Sequence, residues 1–395
     1  MSADGSSINT LHRTQSSPAI ENAIDRSAPT FTAALEKDET SYFDTNPPPP
    51  ELEEFSRIAE EFVNLHCSHQ RRVVLVTSGG TTVPLENQTV RFIDNFSAGT
   101  RGATSAEYFL EAGYAVIFLH RQFSLLPYSR HYSHSTNCFL DFLTEAPTDG
   151  NSRNTIVARD EYAAEMISVL RKYNHAKREK LLLLLPFTTI TSYLFLLRAL
   201  AVKMEPLGSK SLFYLAAAVS DFFVPRERMA EHKIQSGEFA EKDGEMEFVN
   251  PTGPGSGKKL IIDLDPVPKF LKRLVESWAP QSMIVSFKLE TDSKLLIKKC
   301  NMALKRYSHH LVIGNLLQTR KSEVVFVDQK SSHWLRLPPQ NTEGEKNSGG
   351  KFAAKYEPEI EALIVPEVVR RHGALIWNVV AATRSSVGDS PDQQK

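Results

Sequence analysis

The fold of this protein is decided by the stretch VVLVTSGGTTVPLENQTVRFIDNFSAGTRG, which runs from Val73 to Gly102. Its β-branched run VVLVT predicts a buried strand that stops at Ser78-Gly79-Gly80. A polar loop leads to a second turn of small residues, SAGTRG, which opens a periodic segment typical of a helix. Glycines let a phosphate approach the backbone, and free N–H groups at a helix start point at it. The stretch therefore predicts a nucleotide-binding αβ unit, although its glycine spacing is not the G-x-G-x-x-G of dinucleotide enzymes.

The composition is typical of a soluble globular protein. The chain has 395 residues, 41% hydrophobic and 24% charged, enough for one large domain or two ordinary ones. A formal net charge of -1 predicts no nucleic-acid partner. Cys67, Cys138 and Cys300 are far apart, and the N-terminus MSADGSSINT has no apolar core. These features predict a cytoplasmic protein without disulfides or a secretory signal, with a nuclear location left open.

One segment, LLLLLPFTTITSYLFLLRALAV from Leu181 to Val202, resembles a membrane span in its apolar content. It is interrupted by Pro186, by several hydroxyl side chains and by Arg198, whereas a span needs about 20 consecutive apolar residues. The segment instead predicts a buried strand followed by an amphipathic helix. We therefore expect no membrane association.

The chain between its two ends predicts one α/β domain over residues 51–378. Short apolar runs alternate with helical patterns, which indicates βαβ units and a mostly parallel sheet with flanking helices. Strands are predicted at 73–77, 115–119, 181–187, 212–219, 283–287 and 310–314, with two more in SEVVFVD and HWLRL. Helices are predicted from Leu52 onward and near 103–112, 160–178, 190–203, 266–278, 293–306 and 358–371.

The ends of the chain and two internal segments have the composition of irregular regions. Residues 1–50 are rich in Ser, Thr and Asn and end in four prolines, so we expect a disordered N-terminal tail. Residues 379–395 are expected to form a disordered C-terminal tail. Flexible insertions are predicted near 236–258 and 338–352.

The polar loop after Gly80 contains candidate ligand-binding side chains. Arg91 can make paired hydrogen bonds to a phosphate or carboxylate. Asn95 has both a donor and an acceptor, which suits a carbonyl group or a developing oxyanion. An ordinary loop with an asparagine turn is the alternative.

A second candidate cluster follows the strand that contains Tyr214. Ala217 and Ala218 leave room for a ligand at the carboxyl end of the strand, where α/β proteins bind substrates, and Asp221 follows at the rim. The alternative is a buried strand packed under a helix. Next comes FFVPRERMAEHKIQSG, which has the composition of a mobile lid, and its Lys233 can reach a triphosphate as a point charge. The alternative is a solvated surface lysine.

Two later strand ends supply further candidates. Phe287 can stack on a base and Asn315 can read its edge, although a core phenylalanine and a strand-end turn are the alternatives. The histidines lack zinc-site spacing, so no protein-bound metal site is predicted.

These motifs together resemble the phosphopantothenate–cysteine ligase family. The resemblance runs from about Arg71 to Gln318 and rests on VLVTSGGTTVPLE, VRFIDNFSAGTRGATSAEYFLEAGYAVIFLHR, FYLAAAVSDFFVP with EHKIQSG, SFKLETD and GNLLQTR. The KLE form of the fourth motif and the absence of a fused flavin-binding decarboxylase resemble the eukaryotic branch. The N-terminal tail and the insertion after Gly237 resemble its fungal members.

The resemblance implies a reaction of coenzyme A biosynthesis. A nucleoside triphosphate with Mg²⁺ would activate the carboxylate of 4′-phosphopantothenate as an acyl-nucleotide and release pyrophosphate. The amine of L-cysteine would then attack to form 4′-phosphopantothenoyl-cysteine. Because eukaryotic members use ATP, the resemblance favours ATP over CTP. It also implies a Rossmann-like fold with a dimerisation element, a homodimer whose site the partner subunit completes, and leaves open a larger coenzyme A-synthesising complex.

The resemblance also implies roles for individual residues. Asn95 matches the asparagine that holds the substrate carboxylate and the acyl intermediate, and Lys233 matches the lid lysine needed to form that intermediate. Arg91, Ala217 and Ala218 match positions that line the phosphopantothenate site. Positions that contact the nucleotide correspond to Gly79, Ser97, Gly99, Gly102, Phe287 and Asn315. Asp221 matches an aspartate near the nucleotide.

Two other functions remain open from the sequence. A nicotinamide-dependent oxidoreductase would share the sheet fold, but the chain lacks the G-x-G-x-x-G turn and an acidic residue that ends the second strand. A non-catalytic scaffold subunit of a coenzyme A-synthesising complex would keep the fold but has no need of Asn95 and Lys233.

Overall fold

The computed structural model describes residues 41–133, 139–146, 155–234, 238–242, 245–249, 260–338 and 358–387. The described helices are α1 (Leu52–Ser68), α2 (Thr100–Glu111), α3 (Asp160–Arg178), α4 (Ile190–Lys203), α5 (Phe270–Arg273), α6 (Ser293–Tyr307) and α7 (Glu361–Val387). The first eight strands are β1 (Val73–Ser78), β2 (Thr82–Pro84), β3 (Phe92–Asp94), β4 (Ala115–Arg121), β5 (Leu143–Glu145), β6 (Ile156–Ala158), β7 (Leu182–Phe187) and β8 (Ser211–Leu215). The remaining strands are β9 (Phe222–Phe223), β10 (Glu238–Lys242), β11 (Glu245–Val249), β12 (Asp265–Pro266), β13 (Met283–Glu290), β14 (Leu311–Leu316), β15 (Glu323–Val327) and β16 (Ser332–Arg336).

An eight-stranded sheet with the order β16-β15-β14-β13-β8-β1-β4-β7 forms the centre of the molecule. Its strands from β14 to β7 are parallel, and β15 and β16 extend one edge in antiparallel fashion. Numbered along the chain, the parallel strands lie in the order 3-2-1-4-5-6, which is the order of Rossmann folds. This confirms the predicted α/β, Rossmann-like, mostly parallel sheet. The strand order reverses between β1 and β8, where such sheets bind ligands beyond the strand carboxyl ends.

The core forms two layers because successive strand residues point to opposite faces. Every residue of β1 is buried. Val73 and Leu75 face the layer that contains α1 and α4, whereas Val74 and Val76 face the layer that contains α2 and α7. A smaller cluster lies between α6 and the strands β14 and β15. Burial on both faces explains why the central strands are continuous apolar runs.

The segment Leu181–Val202 forms strand β7 and helix α4, so the predicted strand and helix are present, but β7 is an edge strand with only Leu185 and Phe187 buried rather than the buried strand that was predicted. Its Pro186 lies in β7, which is the edge strand of the sheet, where a missing N–H costs no ladder hydrogen bond. Within the described residues, no helix combines the length and apolar content that crossing a bilayer requires.

The N-terminal tail was predicted to extend to residue 50, but the fold includes at least its last ten residues. Residues 41–45 are helical, and Tyr42 is only 3% exposed. Its hydroxyl hydrogen-bonds the Thr191 hydroxyl at 3.0 Å, and the Phe43 ring contacts Phe195 with centroids 4.9 Å apart. Two adjacent aromatic side chains in a polar stretch account for this ordering. Residues 1–40 lie outside the described part of the chain.

The C-terminal boundary also differs from the prediction. Helix α7 continues to Val387, whereas the pattern predicted a helix end near Arg371 and a tail from residue 379. Pro366 lies inside this helix. In the predicted insertion, β10 and β11 form an antiparallel hairpin. The insertion near 338–352 falls outside the described residues, apart from residue 338.

Smaller differences concern individual elements. Strand β8 ends at Leu215 rather than at residue 219, and the predicted helix near 266–278 is a four-residue helix followed by a π-helical turn, Leu274–Trp278. The loop after Gly80 contains the hairpin of β2 and β3, which its polar composition did not indicate.

Candidate functional site

The carboxyl ends of β1 and β8 form the base of the candidate site. Beyond Leu215 the chain stays beside β1, because the Ala218 N–H donates to the Gly79 carbonyl at 2.8 Å and the Thr81 N–H donates to the Ala218 carbonyl at 3.1 Å. Threonine hydroxyls accept from two further backbone N–H groups of this segment. Thr77 Oγ1 accepts from the Ala217 N–H at 3.1 Å, and Thr81 Oγ1 accepts from the Ser220 N–H at 2.9 Å. The backbone of Ala217 and Ala218 is thus fixed where the strand order reverses, and the side chains of these two residues are only methyl groups, which leaves space beside them in the crevice.

Asn95 lies against this base although it is 123 residues from Ala218 in sequence. Its Nδ2 donates to the Ala218 carbonyl at 3.2 Å, and its backbone N–H donates to the Thr81 carbonyl at 3.3 Å. Gly80 permits this approach, since a Cβ there would lie 1.8 Å from the Asn95 carbonyl oxygen. The structure therefore brings together Asn95, Ala217 and Ala218, three residues predicted to bind the substrate.

The two glycine turns meet above β1. Gly79 and Gly99 have φ of 86° and 84°, a left-handed conformation that favours glycine, and Gly99 precedes the first turn of α2. Ser78 Oγ donates to the Gly99 carbonyl at 3.0 Å, and Ser97 Oγ accepts from the Gly99 N–H at 3.4 Å. A Cβ at Gly102 would lie 2.4 Å from Ser78 Oγ, so the helix contacts the strand only because position 102 is glycine.

The N-terminus of α2 has the electrostatics of an anion site. Its first turn contains no acidic residue, and no side chain caps it. Its leading N–H groups therefore remain available to an anion, with the positive end of the helix dipole behind them. A phosphate placed there would lie beside Gly79 and Gly99.

The other three residues predicted to contact or lie near the nucleotide are Phe287, Asn315 and Asp221, and they lie on different elements, away from the two glycine turns. Phe287 is half-buried on the α2 side of the sheet, and its ring meets that of Tyr214 edge to face at 5.0 Å. Asn315 is 7% exposed on β14 and pairs with Leu289, so it lies two strands from β8. Asp221 is exposed, and its carbonyl accepts from the Val267 N–H at 2.9 Å.

Arg91 is held by a buried carboxylate that the sequence did not single out. Glu86 is 0% exposed, and its Oε1 accepts from Arg91 Nη1 at 3.0 Å. The Arg91 backbone N–H donates to Glu86 Oε2 at 2.8 Å. This backbone hydrogen bond, followed by those from Ile234 and Val90, lowers the pKa of Glu86 to about 2. The carboxylate is therefore ionised near neutral pH.

Lys233 is exposed and has no hydrogen bond or ion pair with the described residues. Its segment is nevertheless fixed. The Asn87 N–H donates to the Ala230 carbonyl at 2.9 Å, and the Gln88 N–H donates to the Glu231 carbonyl at 3.2 Å. The described part of the predicted lid, up to Ile234, thus lies against the loop that holds Arg91, and no described residue pairs with the lysine side chain.

Several residues that shape this site carried no readable sequence signal. The Thr77 and Thr81 hydroxyls accept hydrogen bonds from backbone N–H groups 140 and 139 residues away, and Glu86 accepts from its own loop and from the distant Ile234 N–H. No periodicity reveals such contacts. The same is true of Arg121, whose Nη1 contacts both oxygens of Asp94 at 2.7 and 2.8 Å and so ties β4 to the residue before Asn95. Gly80 could be recognised in the sequence only as part of the Gly79-Gly80 turn, and the close approach of Asn95 to it could not be predicted.

The strand order, the reversal crevice and the glycine turns define a Rossmann-like α/β protein in which the start of α2 has the electrostatics of an anion site. The family model described as DNA/pantothenate metabolism flavoprotein C-terminal domain matches residues 69–136. The chain is 50% identical over 360 residues to phosphopantothenate–cysteine ligase CAB2 of Saccharomyces cerevisiae, covering 89% of this chain and 91% of that protein. It is 41% identical over 330 residues to the human phosphopantothenate–cysteine ligase, covering 84% and 96% respectively.

A solved structure is similar in fold as well as in sequence. A Cab2 mutant in complex with phosphopantothenate-cysteine superposes with a TM-score of 0.71 at 49% identity, covering 86% of this chain and 99% of that one. The chain belongs to the phosphopantothenate–cysteine ligase family. The predicted family is thereby confirmed, and its fungal character agrees with the similarity to the yeast protein.

Proposed function

We propose that this ligase activates the carboxylate of 4′-phosphopantothenate with ATP and joins it to the amine of L-cysteine, yielding 4′-phosphopantothenoyl-cysteine, AMP and pyrophosphate. One observation carries the proposal: Asn95 is hydrogen-bonded to Ala218 directly beside the glycine turns of β1 and α2. A carboxylate held at Asn95 would therefore lie within reach of a nucleotide phosphate. The preference for ATP over CTP follows the resemblance to eukaryotic members.

The proposed roles follow from position and charge. Asn95 offers to the substrate carboxylate, and to the oxyanion that forms during acyl transfer, the amide N–H that no described residue accepts from. Arg91 directs a guanidinium at the substrate, and Ala217 and Ala218 leave room for it. The phosphates bind at Gly79, Ser97, Gly99 and Gly102, while Asp221, Phe287 and Asn315 surround the rest of the nucleotide.

Lys233 supplies a positive charge when the adenylate forms. The carboxylate and the triphosphate are both anionic, so their approach is opposed until a cation offsets the repulsion. The lysine has no competing partner among the described residues and is therefore free to supply it. Once pyrophosphate has left, amide formation depends less on this charge.

Mg²⁺ would enter with the triphosphate. Within the described residues no three His, Cys, Asp or Glu side chains are grouped as metal ligands, which suits an ion held mainly by phosphates and water. Of the predicted site residues, Asp221 has an exposed carboxylate that fits such an ion. Bound there, Mg²⁺ would neutralise phosphate charge and polarise the α-phosphate.

We also propose that the protein is a cytoplasmic homodimer. Exposed apolar side chains surround the substrate residues: Val90 is 55%, Phe92 50% and Phe96 96% exposed. A second subunit covering this surface would bury them and complete the site beside Arg91. Sedimentation velocity at micromolar concentration tests this, and a monomer with full activity would contradict it.

Pyrophosphate release tests the reaction. The purified protein is supplied with 4′-phosphopantothenate, L-cysteine and Mg²⁺, in parallel with ATP and CTP. We expect release that requires phosphopantothenate, is faster with ATP, and is matched by the amide product. Release with neither nucleotide would contradict the proposal and favour a scaffold role. Stoichiometric binding of NAD(P)H would instead favour an oxidoreductase, an activity that the family relationship does not support.

A further inference from the structure

Glu86 joins two parts of the site that are distant in sequence. Its carboxylate accepts four hydrogen bonds, two on each oxygen. Oε2 accepts from the Val90 N–H at 3.0 Å and the Arg91 N–H at 2.8 Å, and Oε1 accepts from Arg91 Nη1 at 3.0 Å and the Ile234 N–H at 3.1 Å. Ile234 is 148 residues from Glu86 and directly follows Lys233.

We propose that Glu86 is a positioning residue that holds the Lys233 segment closed over the substrate loop. One carboxylate oxygen is shared between the Arg91 guanidinium and the Ile234 N–H, so the backbone beside Lys233 is fixed relative to Arg91. The lysine side chain itself stays exposed. The arrangement limits the positions that the ammonium group can reach, but Glu86 itself forms no contact with that group, which stays available to a ligand.

A purely local role does not explain this geometry. If Glu86 only stabilised its own loop, the Val90 and Arg91 donors would be sufficient. The fourth donor comes instead from the lid, and a bridge between Glu86 and Ala230 brings the two segments together again. A completely buried carboxylate costs free energy unless its oxygens are fully hydrogen-bonded. Opening of the lid would remove the Ile234 hydrogen bond, and this cost would disfavour the open state.

The charge and shape of Glu86 both matter for this role. In Glu86→Gln the side chain keeps its size, but an NH₂ group replaces one acceptor oxygen and faces N–H donors. Either the loop donors or the pair from Arg91 and Ile234 must then lose their partner. We expect the lid segment to detach more often while the sheet remains folded.

Hydrogen exchange at the Ile234 amide measures this directly and does not depend on catalysis. In Glu86→Gln we expect its exchange to accelerate by at least about 10-fold, with exchange in β1 and β8 unchanged. Asn87→Ala is the matched control, because it removes only the exposed contact from Asn87 Nδ2 to the Glu231 carboxylate at 2.9 Å between the same segments. That variant should retain both the native exchange at Ile234 and the native activity.

Single-turnover adenylate formation at saturating phosphopantothenate provides the second readout. The proposal rests on the proposed role of Lys233, so Glu86→Gln should slow this step by about 10- to 100-fold. If Glu86 acts through Lys233, the double variant Glu86→Gln/Lys233→Gln should stay within about 3-fold of Lys233→Gln alone. If the rate loss of the double variant equals the product of the losses of the two single variants, the proposal is overturned.

The outcomes separate this inference from the proposed function. Native exchange at Ile234 in both Glu86→Gln and Glu86→Ala overturns the anchoring role, whatever the activity, because a glutamine can turn its oxygen towards the Ile234 N–H whereas an alanine offers no acceptor. Faster exchange combined with a harmless Lys233→Gln keeps the anchor and removes the chemical role of the lysine. If Glu86→Gln does not fold, Glu86→Asp replaces it. The shorter side chain withdraws the carboxylate by about 1.5 Å and should give faster exchange in the same direction; native exchange there would equally overturn the proposal.

Discussion

Asn95 illustrates how a single side chain serves both the fold and the proposed chemistry. One N–H of its amide donates to the Ala218 carbonyl, which fixes the side chain. The other N–H and the oxygen have no partner among the described residues and can therefore contact a ligand. Its position depends on Gly80, because any larger residue there would overlap its backbone oxygen. The residue type was readable from the sequence, but its partner was not.

Asn95→Asp tests the proposed role of the amide. The new carboxylate would face the Ala218 carbonyl without a donor and would repel the substrate carboxylate. We expect the KM for phosphopantothenate to rise and adenylate formation to slow by on the order of 100-fold. Steady-state and single-turnover kinetics measure the two effects, and near-native activity would reduce Asn95 to a turn residue.

Lys233→Gln tests the charge on the lid. The side chain is exposed and unpaired among the described residues, so the substitution should leave the fold and phosphopantothenate binding intact. Adenylate formation should slow by on the order of 100-fold because the cation that offsets the phosphate charge is lost. Calorimetric titration with phosphopantothenate separates binding from chemistry. Loss of binding or of the folded state would argue against a role in the chemical step.

At the scale of secondary-structure elements, the proposed phosphate site depends on how closely α2 approaches β1. Strand β1 is buried along its whole length, and α2 begins directly above its carboxyl end with Gly102 against Ser78. The helix N-terminus is thereby aimed at the crevice between β1 and β8. The site is thus a consequence of element packing rather than of a single binding loop.

Gly102→Ala and Gly373→Ala form a matched pair of helical substitutions. A Cβ at position 102 would lie 2.4 Å from Ser78 Oγ, whereas at position 373 the nearest atom is Arg72 Nη2 at 3.8 Å. We expect Gly102→Ala to lower the free energy of unfolding by about 1–3 kcal/mol and to weaken nucleotide binding. Gly373→Ala should raise it by up to about 1 kcal/mol through helix propensity. Urea unfolding distinguishes them, and equal effects would contradict the close packing of α2 on β1.

At the scale of the whole molecule, buried histidines lie near the amino ends of the central strands. His372 Nε2 donates to the Ser209 carbonyl and, in the neutral ring, Nδ1 accepts from the Tyr114 hydroxyl, each at 2.8 Å, and His309 contacts the Ser286 hydroxyl at 2.7 Å. Both rings are 0% exposed. Burial lowers the pKa of His309 to about 4 and, chiefly for the same reason, that of His372 to about 4. Both are therefore neutral in the folded protein near pH 7.

This burial predicts a loss of stability in mild acid. In the unfolded chain these histidines take up protons near pH 6.5, so their contribution is complete above that pH and is lost as the pH falls towards 4. Between pH 7.5 and 5 the free energy of unfolding should fall by about 2 kcal/mol for each ring. Urea unfolding at both pH values measures it. His372→Gln should fall less steeply than the native protein, and an identical pH slope would contradict the assignment.

The sequence by itself determined the sheet class, the order along the chain of the eight strands of the main sheet and of the helices between them, and the family. These properties depend on local patterns, because apolar runs, glycine turns and helical periodicity are formed by residues that are close together along the chain. It also identified Asn95, Lys233 and the glycines as residue types suited to the chemistry. It misplaced the ends of the chain, because the ordering of Tyr42 and the continuation of α7 depend on distant packing partners.

Only the tertiary structure decided which of these residues meet. The hydrogen bonds of Asn95 to Ala218 and of Glu86 to Ile234 join residues more than 120 positions apart. Such contacts follow from the reversal of strand order between β1 and β8, not from any spacing along the chain. A buried carboxylate such as Glu86 has no pattern of its own, because its role is set by the donors that folding brings to it.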